Sequence, residues 1–498
     1  MIADLRREHG HAELVETHVS TVLLGPDARK IKKPVALPFL DFTTLAAREH
    51  ACREELRLNR RLAPSTYLDV LPVRREGSRY TWGGSGRVVD WAVQMRRLDD
   101  AHNAESLLRR GALGPREIDR IAAVIADFHA HLPASPRSEE LGGGGELREH
   151  VRENFVALRA REVVGAGVLD ALERTQMAAL ADDGVLAARI AAGKVKEVHG
   201  DLRLEHVFFL DEERIEVIDG IEFDEAYRTS DVASEVAFLA MDLARLGHAE
   251  LGERFLATYA SLANDHDLYG VVDFYIHYRA CVRAKVARTA REARQYLHVA
   301  HALRRPRPVL VGVGGGIASG KSTIAQRAQD ELAAPIVSAD RTRKHLLGLA
   351  PTEHAAGKDA WGGAYDPAFS ARVYAEVLRR AGAVLASGRP VIVDASFRSR
   401  SARVSAHALA AQHGVPLRFF ECATPREVAR ARLAARDREH SVSDATPEVL
   451  DSFYDRYEAV GTELAPAEHV RLPTGGPVEP AFAALDATLA RLRGGRGG

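Results

Sequence analysis

The chain has 498 residues, too many for one hydrophobic core, and at roughly 100–200 residues per domain it predicts two to four domains. Apolar residues make up 46% and charged residues 28%, which excludes disordered, collagen-like and fibrous classes, while 68 Lys+Arg against 69 Asp+Glu leave a net charge of -1 and no overall basic field for nucleic acid. The three cysteines, Cys52, Cys281 and Cys422, are too few and too far apart for a disulfide framework or a paired-cysteine zinc site. The charged opening at Met1–Gly10 and the lack of a long apolar run predict no signal peptide, no membrane span and a cytoplasmic protein.

In chain order, strands are expected at Val15–Leu24, Ala28–Lys33, Tyr80–Trp82 and Val88–Met95, around one strong helix at Leu45–Leu62. Helices are expected to dominate from Ala101 to Leu303, with a flexible loop at Gly142–Gly145 and two short apolar runs, Val207–Leu210 and Ile215–Ile218, that form a hairpin. The Pro- and Arg-rich stretch at 304–308 predicts a linker after a first domain of residues 1–303. Beyond it, strands at 309–314, Ile336–Ala339, Val391–Ala395, Leu417–Glu421 and His469–Leu472 alternate with helices, and this predicts a parallel α/β sheet over 309–498 with a frayed tail at Gly494–Gly498.

In the first domain His199-Gly200-Asp201-Leu202-Arg203-Leu204-Glu205-His206 is followed by Ile218-Asp219, and the hairpin between them brings the two acids to one end. Asp201 is then placed to accept a hydroxyl proton and Asp219 to hold a metal ion, while Asp231, at a helix start, can cap and brace the loop. Only nine lysines occur, and three of them are Lys30, Lys32 and Lys33. Strand alternation puts Lys30 and Lys32 on one face, where one of them can reach ATP phosphates; the alternative is a solvated basic edge strand. Glu55, flanking the apolar stripe of the 45–62 helix, is the carboxylate placed to pin that lysine, with Asn59 one turn later.

At these residues the chain resembles the aminoglycoside phosphotransferase family. Lys30–Pro34, Glu55–Pro64 and Asp231-Val232-Ala233 resemble more narrowly a bacterial group that fuses such a kinase-like domain to a P-loop domain. The resemblance implies a bilobal α+β protein-kinase-like fold, with an N-lobe over about 1–97 and a C-lobe over about 98–303. It also puts His206 where the family usually has a metal-binding Asn. Imidazole can ligate a metal, but Mg²⁺ prefers oxygen, and Glu205 and Glu222 are close enough in sequence to supply one.

In the second domain Gly315-Gly316-Ile317-Ala318-Ser319-Gly320-Lys321-Ser322 matches the phosphate-binding pattern GxxxxGK[ST] between a strand and a helix. Backbone N–H groups and the helix N-terminus cradle phosphates, Lys321 reaches the outer ones, Ser322 gives its hydroxyl to Mg²⁺, and Thr323 follows in the first turn. Asp340 and Asp394 end the next two strands, where a carboxylate can hold a metal-bound water, take a proton, or only cap a helix. The helix from Pro425 to Arg438 carries Arg432 and Arg436 one turn apart, and Arg426 and Arg430 likewise, either as lid arginines or as a solvated face. This half, over about 309–460, resembles the small P-loop kinases of the gluconate kinase, zeta toxin and chloramphenicol phosphotransferase type.

These readings give the expectation of two nucleotide-binding domains using ATP and Mg²⁺ to phosphorylate a small hydroxyl-bearing acceptor. Three alternatives stand beside it: a first domain that senses a ligand and regulates the second, a nucleotide-driven switch in the second, or a kinase of nucleic-acid ends. Overall neutrality argues against the last.

Overall fold

The computed structural model describes residues 1–37, 40–301, 305–350, 353, 366–435 and 447–494. It divides into two units, Met1–Gly247 with Phe274–His301, and His248–Asp273 with Ala302–Gly498. Among the described residues no helix is long and apolar enough to cross a membrane.

The first unit opens with a six-stranded antiparallel sheet in the order Glu13–Glu16, Ser20–Leu24, Ala28–Lys32, Arg87–Met95, Tyr67–Glu76, Arg79–Trp82. Ile31 enters a core with Leu5, Leu23, Val73 and Ala92 on one face. Lys30 and Lys32 therefore point to the other face, where Cys52, Tyr67, Val70 and Val93 pack under the Leu45–Asn59 helix. That helix starts because Thr44 accepts from the Ala47 N–H at 3.1 Å.

Two strand-level expectations and one loop expectation change. The Val15–Leu24 run is a hairpin, because Thr17 and Ser20 close a tight turn through Ser20 N–H to Thr17 Oγ1 at 2.9 Å. The longest strand, Tyr67–Glu76, was not expected, since Pro72 breaks the usual strand signal; in the sheet Pro72 keeps its carbonyl bonded to the Gly83 N–H at 3.0 Å. Gly142–Gly145 is not a loop: Gly142 ends one helix and Gly144 begins the next, and a Cβ on Gly142 would lie 2.6 Å from Val195. The rest of the unit is mainly helical; the antiparallel hairpin Val207–Phe209 with Ile215–Val217 forms as expected, and Val195–Glu197 with Thr229–Asp231 and Ala36–Leu37 with Leu40–Asp41 make two further short antiparallel pairs.

The second unit holds a five-stranded parallel sheet in the order Ile336–Ser338, Val391–Asp394, Leu310–Gly315, Leu417–Ala423, His469–Pro473. Val311 and Val313 point into a core with the Lys321–Leu332 and Glu479–Gly494 helices. Gly312 and Gly314 alternate with them, and the Phe419 ring fills the space their side chains would take, with Cβ positions 2.8 and 2.4 Å from it.

The division differs from a single boundary near residue 306, because His248–Asp273 belongs to the second unit. Ile336–Ser338 is an edge strand, and its outward backbone groups need partners. Ser261 Oγ accepts from the Ile336 N–H at 2.8 Å, and His266 Nε2 lies 3.0 Å from the Ile336 carbonyl. Arg389, buried, is held by Glu253 at 2.6 Å and Asp273 at 2.7 Å. Residues 305–308 follow without regular structure, and Arg304 and residues 495–498 lie outside the described residues.

Candidate functional site

In the first unit the loop after residue 198 is fixed by hydrogen bonds from several elements. His199 Nε2 donates to the Ile218 carbonyl at 2.9 Å, and Nδ1 accepts from the Asp201 N–H at 3.3 Å, so one neutral ring ties the loop to the strand end carrying Asp219. Burial pushes the His199 pKa down, which favours that neutral form. Gly200 has φ +89°, and its N–H donates to Glu235 at 2.7 Å; the other Glu235 oxygen lies 2.7 Å from His129 Nε2. The Leu204 N–H donates to Asp242 at 3.2 Å. Across the loop, the Asp219 N–H donates to the Tyr67 hydroxyl at 3.1 Å and the Gly220 N–H to Asn59 at 2.7 Å.

These anchors bring residues far apart in sequence together. Lys30 Nζ lies 2.9 Å from Glu55 and 2.9 Å from Asp219. Lys30 holds the Asp219 carboxyl well below the usual range, and Asp219 and Glu55 together raise the Lys30 pKa despite burial. Lys32 differs from Lys30. It is sealed against Glu55 at 2.5 Å and against Glu222, with no exposed side chain, so it supports the site from behind and cannot reach a nucleotide. Glu222 is thereby spent on Lys32, and Glu205 is spent on Arg203. Asp231 caps the Val232–Arg245 helix through the Ala233 N–H at 2.8 Å and pairs with Arg189 at 2.6 Å; Glu235, not Asp231, braces the loop.

Asp201 is engaged by Arg203, Nε to Oδ1 and Nη2 to Oδ2 both at 3.0 Å. Burial raises the Asp201 pKa, but Arg203 and His206 outweigh it and hold the carboxyl at about 2. His206 Nε2 lies 3.8 Å from an Asp219 oxygen. Among the described residues no three His, Cys, Asp or Glu side chains converge as a preformed metal site. The half-exposed Asp219 carboxylate nevertheless suits a divalent ion that arrives with phosphate oxygens, which complete its shell.

In the second unit the phosphate loop joins the central strand to its helix. Gly315, Ala318 and Gly320 all have positive φ, at +141°, +53° and +87°, the left-handed backbone that a tightly curled loop needs. Lys321 Nζ donates to the Gly316 carbonyl at 2.7 Å, and the buried Ser319 hydroxyl has no partner among the described residues. Ser322 donates to Asp394 at 2.9 Å. Burial raises the Asp394 pKa, Lys321 opposes it, and Asp340 adds to it. Ser322 and Asp394 are an oxygen pair that fits Mg²⁺. Asp340 does not cap its helix: Ser338 does, through the Arg341 N–H at 3.3 Å.

The arginine helix spans Arg426–Ala434 and pairs with a second helix, Pro447–Asp455. Arg430 binds Asp451 at 2.7 Å and Arg426 binds Asp455 at 2.6 Å, so these two hold the helices together. Ala429, Leu433 and Leu450 pack on Ile317 and Ala318 of the phosphate loop. Arg432 makes no ion pair among the described residues and lines a cavity of about 420 Å³ with Ala318, Gly320, Thr323, Thr474 and Val478. Arg436 lies outside the described residues. Sequence reading missed Tyr454, whose ring stands 2.6 Å from a Cβ placed on Gly316, and Thr424, which donates to the Ser319 carbonyl at 3.2 Å. It also missed Tyr67, His129, Glu235 and Asp242, whose anchoring roles depend on contacts across more than thirty residues.

Fold and site together define an α/β multidomain protein in which an α+β unit that gathers Lys30, Glu55 and Asp219 precedes a P-loop unit. A family profile described as an AAA domain matches residues 309–460. The chain is 34% identical over 483 residues to the uncharacterized protein Rv2004c of Mycobacterium tuberculosis, covering 93% of this chain and 92% of that protein, and equally so to Mb2027c of Mycobacterium bovis. It belongs to the same family as these proteins. Among solved structures it is similar to a gluconokinase from Sinorhizobium meliloti 1021 (21% identity, TM-score 0.27, 38% of this chain and 95% of that one). It is also similar to APH(2")-IIia in complex with GDP and kanamycin (13% identity, TM-score 0.36, 60% and 96%).

Proposed function

We propose that the chain is an ATP-dependent phosphotransferase with two nucleotide sites, transferring the γ-phosphoryl group to a hydroxyl of a sugar-like or other small metabolite with Mg²⁺ as the metal. The observation that carries this reading is the Lys30 ammonium, 2.9 Å from both Glu55 and Asp219, residues drawn from a strand, a helix and a distant loop. A lysine pinned in this way presents one charge to the phosphates of a nucleotide, and the neighbouring carboxylate holds the metal. Asp201 acts as the base for the acceptor hydroxyl once that hydroxyl displaces Arg203 from it. In the second unit Ser322 and Asp394 hold the metal, Lys321 and Arg432 supply positive charge, and Asp340 faces the acceptor. Binding through these groups is local to each unit, so each site is expected to take nucleotide independently.

A second reading rests on the Arg203–Asp201 chelate: a first unit whose base stays locked would sense a ligand and regulate a nucleotide switch in the second. The test is ATP consumption with phosphorus NMR of products against sugars, amino sugars, sugar acids and nucleosides, using Asp201→Ala and Lys321→Ala separately. A phosphorylated product that disappears in either variant supports transfer. Release of inorganic phosphate alone across the whole panel favours the switch.

A further inference from the structure

A kinase-type site usually places two divalent ions on the phosphates, one on the later Asp and one on the Asn of the loop. His206 stands at the second position, and its tautomer follows from its partners. Its Nδ1 lies 2.9 Å from the Asp201 carbonyl, which only accepts, so Nδ1 carries the proton. Nε2 is then a lone pair, and it lies 3.0 Å from Arg203 Nη2, which only donates. The same guanidinium holds both Asp201 oxygens at 3.0 Å and contacts Glu205. Asp201, Glu205 and His206, the groups on this side of the loop that could hold a second ion, all contact one arginine, whose side chain is only 12% exposed. A divalent ion placed there would face that fixed positive charge at close range.

We propose that Arg203 is a built-in cation in place of the second metal ion, and that the first unit binds its nucleotide with a single divalent ion, held through Asp219. This inference rests on the nucleotide-binding reading of the first unit. It explains the exchange of an oxygen ligand for imidazole at residue 206: the ring serves there as a hydrogen-bond acceptor for a guanidinium.

The experiment counts Mn²⁺ ions by electron paramagnetic resonance on the full chain carrying Lys321→Ala, saturated with a non-hydrolysable ATP analogue. Mn²⁺ accepts imidazole nitrogen as well as oxygen, so it will occupy the second position if that position is free. The expected count is one ion, lost on Asp219→Ala. Arg203→Ala should raise the count to two by releasing Asp201, Glu205 and His206, while Arg203→Lys should leave it at one. Two ions in the Lys321→Ala chain, or one ion in Arg203→Ala, overturns the inference and leaves nucleotide binding standing. Failure to bind the analogue at all overturns both. If circular dichroism shows that Arg203→Ala does not fold, the counts in the Lys321→Ala chain and in Arg203→Lys decide.

Discussion

The two sites reach a similar electrostatic end by opposite means. In the second unit the phosphate cradle is one contiguous loop whose donors are mostly backbone N–H groups, and Lys321 rests on a single carbonyl of that loop. In the first unit the site is a cluster of side-chain charges on Ala28–Lys32, Leu45–Asn59 and the 199–219 region, and nearly every one is neutralised by another. A backbone loop carries no buried charge of its own, so its key side chain can be removed without unbalancing the fold. A web of buried ion pairs cannot lose a member so easily.

The largest effect that would test this contrast is on stability. Lys32→Ala leaves Glu55 and Glu222 buried without their shared cation, and about 3–5 kcal/mol of destabilisation is expected in denaturant unfolding. Lys30→Ala should cost less stability, because Asp219 is half-exposed, while removing nucleotide binding by the first unit. Equal stability losses in the two variants would break the distinction between a supporting and a ligand-facing lysine.

Lys321→Ala should leave the melting temperature unchanged and weaken nucleotide binding by the second unit about a hundredfold or more, since charged hydrogen bonds contribute roughly 3 kcal/mol at most each. Calorimetry on the full chain should show stoichiometry falling from two nucleotides to one. A smaller change is expected at Gly316→Ala, where the new methyl meets the Tyr454 ring at 2.6 Å; overpacking of this kind costs roughly 1–3 kcal/mol. Its signature is a tilt of the two-helix lid read as faster nucleotide release in stopped-flow, without loss of the first unit's binding.

Acid should give the smallest effect of the set. Burial, with Arg380 adding to it, depresses the His266 pKa from the usual 6.5 to about 4. The unfolded chain binds a proton there before the folded one does, so this group's contribution to the second unit falls as pH drops from 6.5 toward 4. Asp201 behaves differently: its carboxyl is held at about 2 against a usual 3.8, so its contribution is present above 3.8 and is lost only as pH falls through about 2. Between pH 6.5 and 4 the second unit should therefore lose stability through His266, and His266→Gln should flatten that slope in pH-dependent unfolding. In the first unit Arg203→Ala should raise the Asp201 pKa, moving the acid limb of any phosphotransfer profile to higher pH.

What the amino-acid order determined by itself is what depends on neighbours. The phosphate loop, its flanking strand and helix, the five parallel strands and the 207–217 hairpin all follow from local pattern, because a Gly-rich turn between an apolar run and an amphipathic helix has few other ways to fold. Alternation along Ala28–Lys32 put Lys30 and Lys32 on one face, and the apolar stripe of the following helix singled out Glu55. Alternation could not say which lysine stays partly exposed and which is sealed. That was decided by Asp219 on one side and Glu222 on the other, both about 190 residues away in the chain. Tertiary packing alone also assigned His248–Asp273 to the second unit, since an edge strand takes its missing backbone partners from whatever polar side chains the fold brings to it. It likewise turned Arg203 onto Asp201, His206 and Glu205. Spacing can place a guanidinium near a loop, but only the geometry of the loop's lone pairs fixes where it binds.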